Sequence, residues 1–377
     1  MPFATIEEAI EEIKAGHMVI IVDDEDRENE GDLMIAAEKV TPEAINFMAT
    51  HGRGLICLSL TGQRLDELNI PLMVSDNSNT SQYGTAFCVS IEAKRNVSTG
   101  ISAHDRSRTI LTAIDPKSRA QDLARPGHIF PLRARDGGVL VRAGQTEASV
   151  DLSNIAGLDA SAVICEIMKE DGSMARVPDL AVFAAEHGLK MITVADLIRY
   201  RLKTERFVRK VGETVLPTRH GKFRMISFES VIDHESHIAL VKGNIEHGKD
   251  VLVRVHAHCL TGDVFGSNSC HCQEQIDQAL SMIEAAGQGV LLYLHQKGHS
   301  RCGQELEYHG KYRTDSNESL GLQGEQREYG IGAQILASLN VTSMRIITNH
   351  PRKLVALEAY GLQISAQVPF LTVPAKS

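Results

Sequence analysis

The sequence predicts two tandem domains of the α/β or α+β class. At 377 residues, the chain is long enough for about two or three domains with buried cores. Up to about residue 202, short apolar runs alternate with segments of helical period, which is typical of α/β proteins. After a charged stretch at 203–213, a second series opens with β-rich segments. We therefore expect domains at 1–202 and 214–377, joined by a linker at 203–213.

The elements of the first domain have recognisable boundaries. Thr5 and Glu8 predict a capping box that opens a helix, and Gly16 ends this helix. Thr41 and Pro42 predict the start of a second helix. The remaining elements predicted here are strands at Met18–Val22, Leu55–Leu60 and Leu189–Val194, and helices at Pro178–Gly188 and Ala195–Leu202.

The second domain begins with three β-rich segments and then alternates. The β-rich segments are Phe223–Ser230, His237–Gly243 and Val251–His258. Predicted helices at Glu274–Gly287, Tyr329–Leu339 and Pro351–Gly361 then alternate with strands at Gly289–Leu294 and Met344–Thr348.

Composition excludes several classes of function. A formal net charge of -9 argues against broad nucleic-acid binding. No apolar run approaches the roughly 20 residues of a membrane span, and the N-terminal segment lacks the pattern of a secretory signal. Seven cysteines fit reduced thiols or metal ligands better than a disulfide framework. We expect a cytoplasmic protein that acts without a membrane or nucleic acid.

An acidic segment directly follows the first predicted strand. Seven of the ten residues from Asp23 to Asp32 are acidic, and Arg27 and Gly31 lie among them. A solvated loop is the ordinary interpretation of such a run. However, α/β proteins place sites where strands end, and carboxylates are the ligands that Mg²⁺ prefers. Glu166 lies in a second apolar run, where an unpaired carboxylate would be costly.

Five motifs of the first domain together resemble 3,4-dihydroxy-2-butanone 4-phosphate synthase. They are DDEDRENEGD at 23–32, TGISAHDR at 99–106, RPGHIFPL at 125–132, RAGQTEA at 142–148 and VICEIM at 163–168. The resemblance implies a mixed sheet flanked by helices, a homodimer whose site uses both chains, and Mg²⁺ or Mn²⁺ as cofactor. It implies conversion of D-ribulose 5-phosphate to formate and a four-carbon riboflavin precursor.

The same resemblance assigns roles to individual residues. It implies that His128 and Glu166 are required for catalysis and that Glu28 binds the metal. The residues implied to bind substrate are Arg27, Glu28, Asp32, Arg142, Ala143, Gly144, Gln145, Thr146 and Glu166. The chemistry suits these residue types, because enolisation needs a positioned base and a guanidinium matches the paired oxygens of a phosphate.

Gln145 departs from the family pattern. The family normally has histidine there, as the second protein ligand of the metal. A glutamine oxygen can bind Mg²⁺, but it is a weaker donor than imidazole for Mn²⁺ and accepts no proton near pH 7. The resemblance makes Gln145 the second metal-ligand position beside Glu28. If the family's histidine only coordinates the metal, we expect activity to survive at lower metal affinity; if it also shuttles a proton, we expect activity to collapse.

Three cysteines in the second domain predict a zinc site. Cys259, Cys270 and Cys272 form a C-x10-C-x-C pattern, and three clustered thiolates suit tetrahedral Zn²⁺. His256, His258 or His271 could complete the coordination shell. A complete protein shell would make the site structural, whereas an open position would make it catalytic.

Residues 215–370 resemble GTP cyclohydrolase II. The resemblance rests on RVHAHCLTGD at 254–263, the three cysteines, YGIGAQIL at 329–336 and TNHPRK at 348–353. It implies a zinc-bound water that opens the guanine ring of GTP and releases formate. The positions matching functional residues are Arg254, Gln275, Arg327, Thr348 and Lys353.

Several positions of this second domain depart from the family. His258 and Glu325 replace glutamate and aspartate, and Ser269 replaces arginine. His295, Lys297 and His299 replace two arginines and an acid of a motif that usually reads RQEGRGIG. An ammonium in place of a carboxylate would cost recognition of guanine N–H groups. Our leading expectation is therefore a ribulose 5-phosphate enzyme with a degenerate second domain. The alternatives are a working bifunctional enzyme and a catalytically impaired binding or regulatory partner of riboflavin enzymes.

Overall fold

A computed structural model gives the arrangement of both halves. It describes residues 3–24, 27–75, 78–231, 234–245, 248–268, 270–295, 330–349 and 362–370. The chain divides into two compact units, Met1–Arg201 and Leu202–Ser377. Within the described residues, no helix is long and apolar enough to cross a membrane.

The first unit is built on a seven-stranded mixed sheet. Its strands are β1 (Val19–Val22), β2 (Gly31–Ala36), β3 (Cys57–Leu60), β4 (Ile91–Ala93), β5 (Leu123–Arg133), β6 (Ser161–Glu166) and β7 (Lys190–Thr193), in the order β4-β5-β3-β6-β2-β1-β7. The pairs β1–β7 and β3–β5 are parallel and the others are antiparallel.

Helices flank this first sheet. They are α1 (Ile6–Ala15), α2 (Pro42–Phe47), α3 (Gly62–Glu67), α4 (Ala103–Ile114), α5 (Gln145–Ile155), α6 (Val177–His187) and α7 (Val194–Thr204). Apolar side chains of α2, α3, α4 and α6 share one core with residues of β1, β2 and β6. Helix α5 packs on β2, β3 and β6. The predicted capping box of α1 is present, and Gly16 ends this helix in the left-handed conformation.

The acidic segment is a hairpin connection rather than a loop that runs to residue 32. Val22 pairs with Gly31 and Ile21 with Asp32 in an antiparallel register. Asp32 therefore lies in β2 and is 5% exposed. The sequence prediction missed β2 because the hydrophobic run begins only after the acidic residues.

The second unit carries another seven-stranded mixed sheet. Its strands are β8 (Val208–Thr218), β9 (Gly221–Ser230), β10 (Ser236–Lys242), β11 (Val251–Ala257), β12 (Gly289–Leu294), β13 (Ser343–Ile347) and β14 (Gln363–Val368), in the order β14-β13-β11-β12-β10-β9-β8. Strands β8, β9, β10 and β12 pair antiparallel, whereas β12, β11, β13 and β14 are parallel. Helices α8 (Cys272–Ala286) and α9 (330–338) accompany it. The predicted helix at Pro351–Gly361 lies outside the described residues.

The charged stretch at 203–213, predicted as a linker, has regular structure at both ends. Helix α7 runs to Thr204 and β8 begins at Val208. The backbone of β8 pairs along its length with β9. This pairing stabilises a largely exposed strand, whose side-chain pattern alone does not predict a β-strand.

Candidate functional sites

The backbone of the acidic segment is organised by Asp23. This carboxylate is 5% exposed and accepts hydrogen bonds from the backbone N–H of Glu28 at 3.3 Å and of Glu30 at 2.9 Å. Arg27 donates to the same carboxylate through Nη1 at 2.5 Å. One buried carboxylate therefore accepts hydrogen bonds from the backbone of the turn and pairs with a buried guanidinium. The acidic segment is thus more than a solvated loop.

Arg27 links several parts of the first site. Its side chain is 6% exposed, and its Nη2 lies 2.9 Å from Glu28 Oε1. Its Nη1 also donates to Gln145 Oε1 at 3.0 Å. The guanidinium lies 5.2 Å from the centre of the Tyr83 ring, and the Tyr83 hydroxyl donates to the carbonyl of Arg27 at 2.7 Å. Sequence reasoning missed Tyr83, because no local pattern connects it with residue 27.

Asp32 and Glu166 project from one face of the sheet. They are direct partners in the antiparallel pairing of β2 with β6, and directly opposed residues share a face. Burial, and next the Glu166 carboxylate, raise the pKa of Asp32 well above its usual range. Burial also raises the pKa of Glu28, although Arg27 opposes the shift. The site therefore concentrates negative charge that protons or a cation would neutralise.

Glu166 has a fixed orientation. Its Oε2 accepts a hydrogen bond from the Leu55 backbone N–H at 2.8 Å. A Cβ atom on Gly54 would lie 2.4 Å from the Glu166 carbonyl and 2.7 Å from Oε2, so only glycine fits beside this carboxylate. A carboxylate held in this way has the geometry of a positioned base.

The N-terminus of α5 gathers the residues from Arg142 to Thr146. Gly144 precedes the helix and provides no capping side chain, which leaves the first backbone N–H groups available to an anion. A Cβ atom on Gly144 would lie 2.4 Å from Arg142 Nη1 and 3.1 Å from Arg27 Nη2. Two guanidinium groups therefore converge where a phosphate could bind. Ala143, Gln145 and Thr146 are buried.

Arg142 is fixed by a buried acid that the sequence did not single out. Its Nη1 donates to Glu147 Oε2 at 2.6 Å, and Glu147 is 1% exposed. The same guanidinium donates to the carbonyl of Tyr83 and to the hydroxyl of Thr85.

His128 lies in a different cluster from the acidic residues. Its Nδ1 is 2.6 Å from Glu92 Oε2, and the other oxygen of Glu92 accepts from Thr109 at 2.9 Å. Within the part of the chain that the structure describes, His128 makes no polar contact with Glu28 or Glu166. Glu92 lies 36 residues before His128, so no local sequence signal links them.

The three predicted zinc cysteines meet at one edge of the second sheet. Strands β11 and β12 are parallel, so Cys259 and His295 follow strand ends at the same edge. The sulfur atoms of Cys259, Cys270 and Cys272 all lie within 4.8 Å of one another. A Cβ atom on Gly262 would lie 2.4 Å from Cys270 Sγ, so only glycine permits this approach. Burial and the neighbouring thiols raise the pKa of Cys272.

Asp263 ties this thiol cluster to the sheet. It accepts hydrogen bonds from the Cys259 backbone N–H at 2.8 Å and the Tyr293 hydroxyl at 2.7 Å, and it lies 3.0 Å from His256 Nε2. His256, Asp263 and Cys272 form a second group with metal-binding spacing. The other two candidate histidines have other neighbours, because His258 stacks on His295 and His271 contacts Glu274.

Two further residues implied for nucleotide binding contact each other. Arg254 Nη2 donates to Gln275 Oε1 at 2.7 Å, and its guanidinium lies 4.9 Å from the centre of the Phe370 ring. The backbone N–H of Thr348 donates to the Val368 carbonyl at 3.0 Å. The positions discussed for this site that lie outside the described residues are Ser269, Lys297, His299, Glu325, Arg327 and Lys353.

Comparison with known proteins decides the family. The model of the 3,4-dihydroxy-2-butanone 4-phosphate synthase family matches residues 7–200, and that of the GTP cyclohydrolase II family matches residues 208–369. The riboflavin biosynthesis protein RibBA of Aquifex aeolicus is 54% identical over 99% of this chain and 93% of its own length. The chain belongs to the family that joins these two domains.

Other relatives are similar over nearly the whole chain. The bifunctional riboflavin biosynthesis protein RIBA 1 of Arabidopsis thaliana is 49% identical over 99% of this chain and 70% of its own length. The crystal structure of RibBX from A. baumannii, a two-domain 3,4-dihydroxy-2-butanone 4-phosphate synthase, is 39% identical with a TM-score of 0.77, covering 96% of this chain and all of that one. A 3,4-dihydroxy-2-butanone 4-phosphate synthase structure containing two magnesium ions is 42% identical with a TM-score of 0.51, covering 54% of this chain and 98% of its own.

These comparisons bear on the predictions. The two-domain architecture, with a mixed sheet and helices in each unit, is confirmed. The expectation that the second domain is degenerate is not supported, because relatives over nearly the whole chain include a protein named as bifunctional.

Proposed function

We propose that the first unit converts D-ribulose 5-phosphate to 3,4-dihydroxy-2-butanone 4-phosphate and formate. The observation that carries this proposal is the face shared by Asp32 and Glu166. Glu166, held by the Leu55 N–H, would remove a proton next to the substrate carbonyl. Arg27, Arg142 and the N-terminus of α5 would bind the phosphate.

Glu28 fits the role of a magnesium ligand. It is a partly buried carboxylate among other acids, and burial raises its pKa. Mg²⁺ commonly takes one or two protein carboxylates and completes its shell with waters and substrate oxygens. When bound, the ion would stabilise negative charge on substrate oxygens. The same donor set suits Mn²⁺.

The partner chain of a homodimer would complete this site. His128 is 44% exposed at its side chain and is held by Glu92, and among the described residues it makes no polar contact with Glu166. A role for His128 in catalysis is therefore best explained by a site formed between two chains. We also propose a cytoplasmic location, because the seven cysteines fit reduced thiols or metal ligands better than a disulfide framework.

We propose that the second unit hydrolyses GTP, so that the protein is bifunctional. The supporting observation is the set of three thiols within 4.8 Å of one another. Their softness and spacing fit Zn²⁺, which would activate a water for attack on the guanine ring. Arg254 and Gln275 lie in contact and would bind the nucleotide.

One pair of assays separates the candidate functions. Purified protein receives ribulose 5-phosphate with Mg²⁺, and separately GTP with Zn²⁺, and formate is measured. Formate from both substrates supports the bifunctional proposal. Formate from ribulose 5-phosphate alone supports the interpretation that the second domain is degenerate. Formate from neither substrate indicates a binding or regulatory protein. Glu170→Gln is the control variant, because the Glu170 side chain is 94% exposed.

A further inference from the structure

We infer that Gln145 donates a hydrogen bond to an anionic oxygen of the substrate, and that it is not a ligand of the metal. This inference rests on the proposed function of the first unit and assigns Gln145 a role that differs from the histidine usual at this position. Three features of the structure carry it: the orientation of the amide, its burial, and the charges around it.

The orientation of the amide follows from its neighbour. A guanidinium carries only hydrogen-bond donors, so the atom of Gln145 that faces Arg27 Nη1 at 3.0 Å must be the carbonyl oxygen Oε1. The opposite assignment would place two donors against each other. The amide nitrogen Nε2 is therefore directed away from Arg27.

The amide nitrogen is buried and has no partner. Gln145 is 5% exposed, and among the described residues Nε2 makes no hydrogen bond. Most buried polar groups are paired, and leaving one unpaired costs free energy. Gln145 is also the first residue of α5, where the backbone N–H groups point outward from the helix end. Nε2 is therefore an unused donor on the residue that begins this helix, and helix N-termini attract anions.

The same contact argues against metal coordination by Oε1. Arg27 is almost fully buried and already approaches Oε1. A divalent cation on that oxygen would lie close to a guanidinium that cannot lose its charge. Glu28 Oε1 also contacts Arg27, at 2.9 Å, but the negative charge of the carboxylate attracts both the guanidinium and a metal ion, whereas the amide of Gln145 is neutral. We therefore assign metal binding to the Glu28 carboxylate and substrate binding to the Gln145 amide.

The test uses two variants of the full-length protein. Gln145→Glu keeps the shape and the acceptor for Arg27 but replaces the amide donor with an acceptor. We expect it to weaken binding of ribulose 5-phosphate by about ten- to a hundredfold, while Mn²⁺ affinity stays equal or rises. Gln145→Leu removes both groups, and we expect Mn²⁺ affinity within about twofold of the wild type because no ligand is lost.

Calorimetry with ribulose 5-phosphate, and Mn²⁺ titration followed by electron paramagnetic resonance, provide the measurements. Gln63→Leu, on the exposed surface of α3, is the matched control. A marked loss of Mn²⁺ affinity in Gln145→Leu, or unchanged sugar phosphate binding in Gln145→Glu, would overturn the inference. Absence of formate from the wild type would instead overturn the proposed function, while the Mn²⁺ titration would still decide whether Gln145 is a ligand.

Discussion

The two candidate metal sites differ in how they would bind a metal ion. In the second unit, three sulfur atoms already lie within 4.8 Å of one another. In the first unit, the described carboxylates form no such group of three, and Arg27 separates Glu28 from Gln145. Thiolates suit a tetrahedral zinc site built by the protein, whereas Mg²⁺ retains waters and substrate oxygens. From this difference we expect a preformed site in the second unit and a site completed by its substrate in the first.

The largest effect should come from removing Glu166, the proposed base of the first site. Glu166→Gln keeps the contact with the Leu55 N–H possible but cannot accept the substrate proton. We expect formate release from ribulose 5-phosphate to fall by about 10²- to 10⁴-fold, while GTP turnover stays unchanged. A variant that retains most of its activity would remove Glu166 from catalysis.

Breaking the preformed site should give the reciprocal result. Cys270→Ser replaces a soft thiolate with a hydroxyl that binds zinc poorly. We expect most of the bound zinc and the GTP activity to be lost, whereas ribulose 5-phosphate turnover is retained. Zinc content by mass spectrometry, with both formate assays, checks this prediction. Retained zinc would show that His256 or Asp263 substitutes for the lost thiol.

A smaller effect is expected from the residue that supports the thiols. Asp263→Asn keeps the size of the side chain but weakens its hold on His256, Tyr293 and the Cys259 backbone. Loss of such outer partners commonly lowers metal affinity by about 10- to 100-fold. Competition with a zinc chelator measures the affinity, and Asp277→Asn, on α8, is the control. Equal affinities in wild type and Asp263→Asn would limit Asp263 to a structural role.

The smallest effect concerns acidity, which should act on the two units in opposite senses. Burial lowers the pKa of His237 in the second unit to about 4. His237 binds a proton more readily in the unfolded chain than in the folded one. The stability of the folded unit is therefore unaffected by His237 above about pH 6.5 and decreases as the pH falls toward 4. At pH 5 the loss is about 1 to 2 kcal/mol.

Asp32 in the first unit has a raised pKa, so its contribution to stability is instead present at low pH and lost as the pH rises. Hydrogen exchange resolved by unit, at pH 5 and pH 7, tests this contrast. His237→Gln should flatten the dependence in the second unit. An equal response of wild type and variant would contradict the assignment to His237.

Local signals predicted most of what lies close together in the chain. The capping box at Thr5 and Glu8 is an example, because its contacts span three residues. The cysteine cluster was also predictable, since C-x10-C-x-C limits how far its members can separate. In contrast, β2 was missed, and so were α4 and α5. Helix α5 has little amphipathic pattern, because residues on most of its faces are buried. Its sequence therefore lacks the hydrophobic period of about 3.6 residues by which a helix is predicted.

Contacts between residues far apart in the chain could not be predicted from local sequence patterns. Tyr83 over Arg27, Glu92 beside His128 and the pairing of Asp32 with Glu166 each join residues far apart in the chain. Strand register decides such contacts, and register depends on the packing of the whole sheet.

The sequence by itself determined the order of the two domains, their families, and the residue types available to each site. Such properties depend on composition and on motifs that need no partner. Only the tertiary structure decided that Gln145 faces Arg27 with its oxygen and that Asp32 lies within a strand. These outcomes depend on which groups compete for the same hydrogen bond once distant segments meet. The orientation of the Gln145 amide cannot be inferred until the position of the Arg27 guanidinium is known.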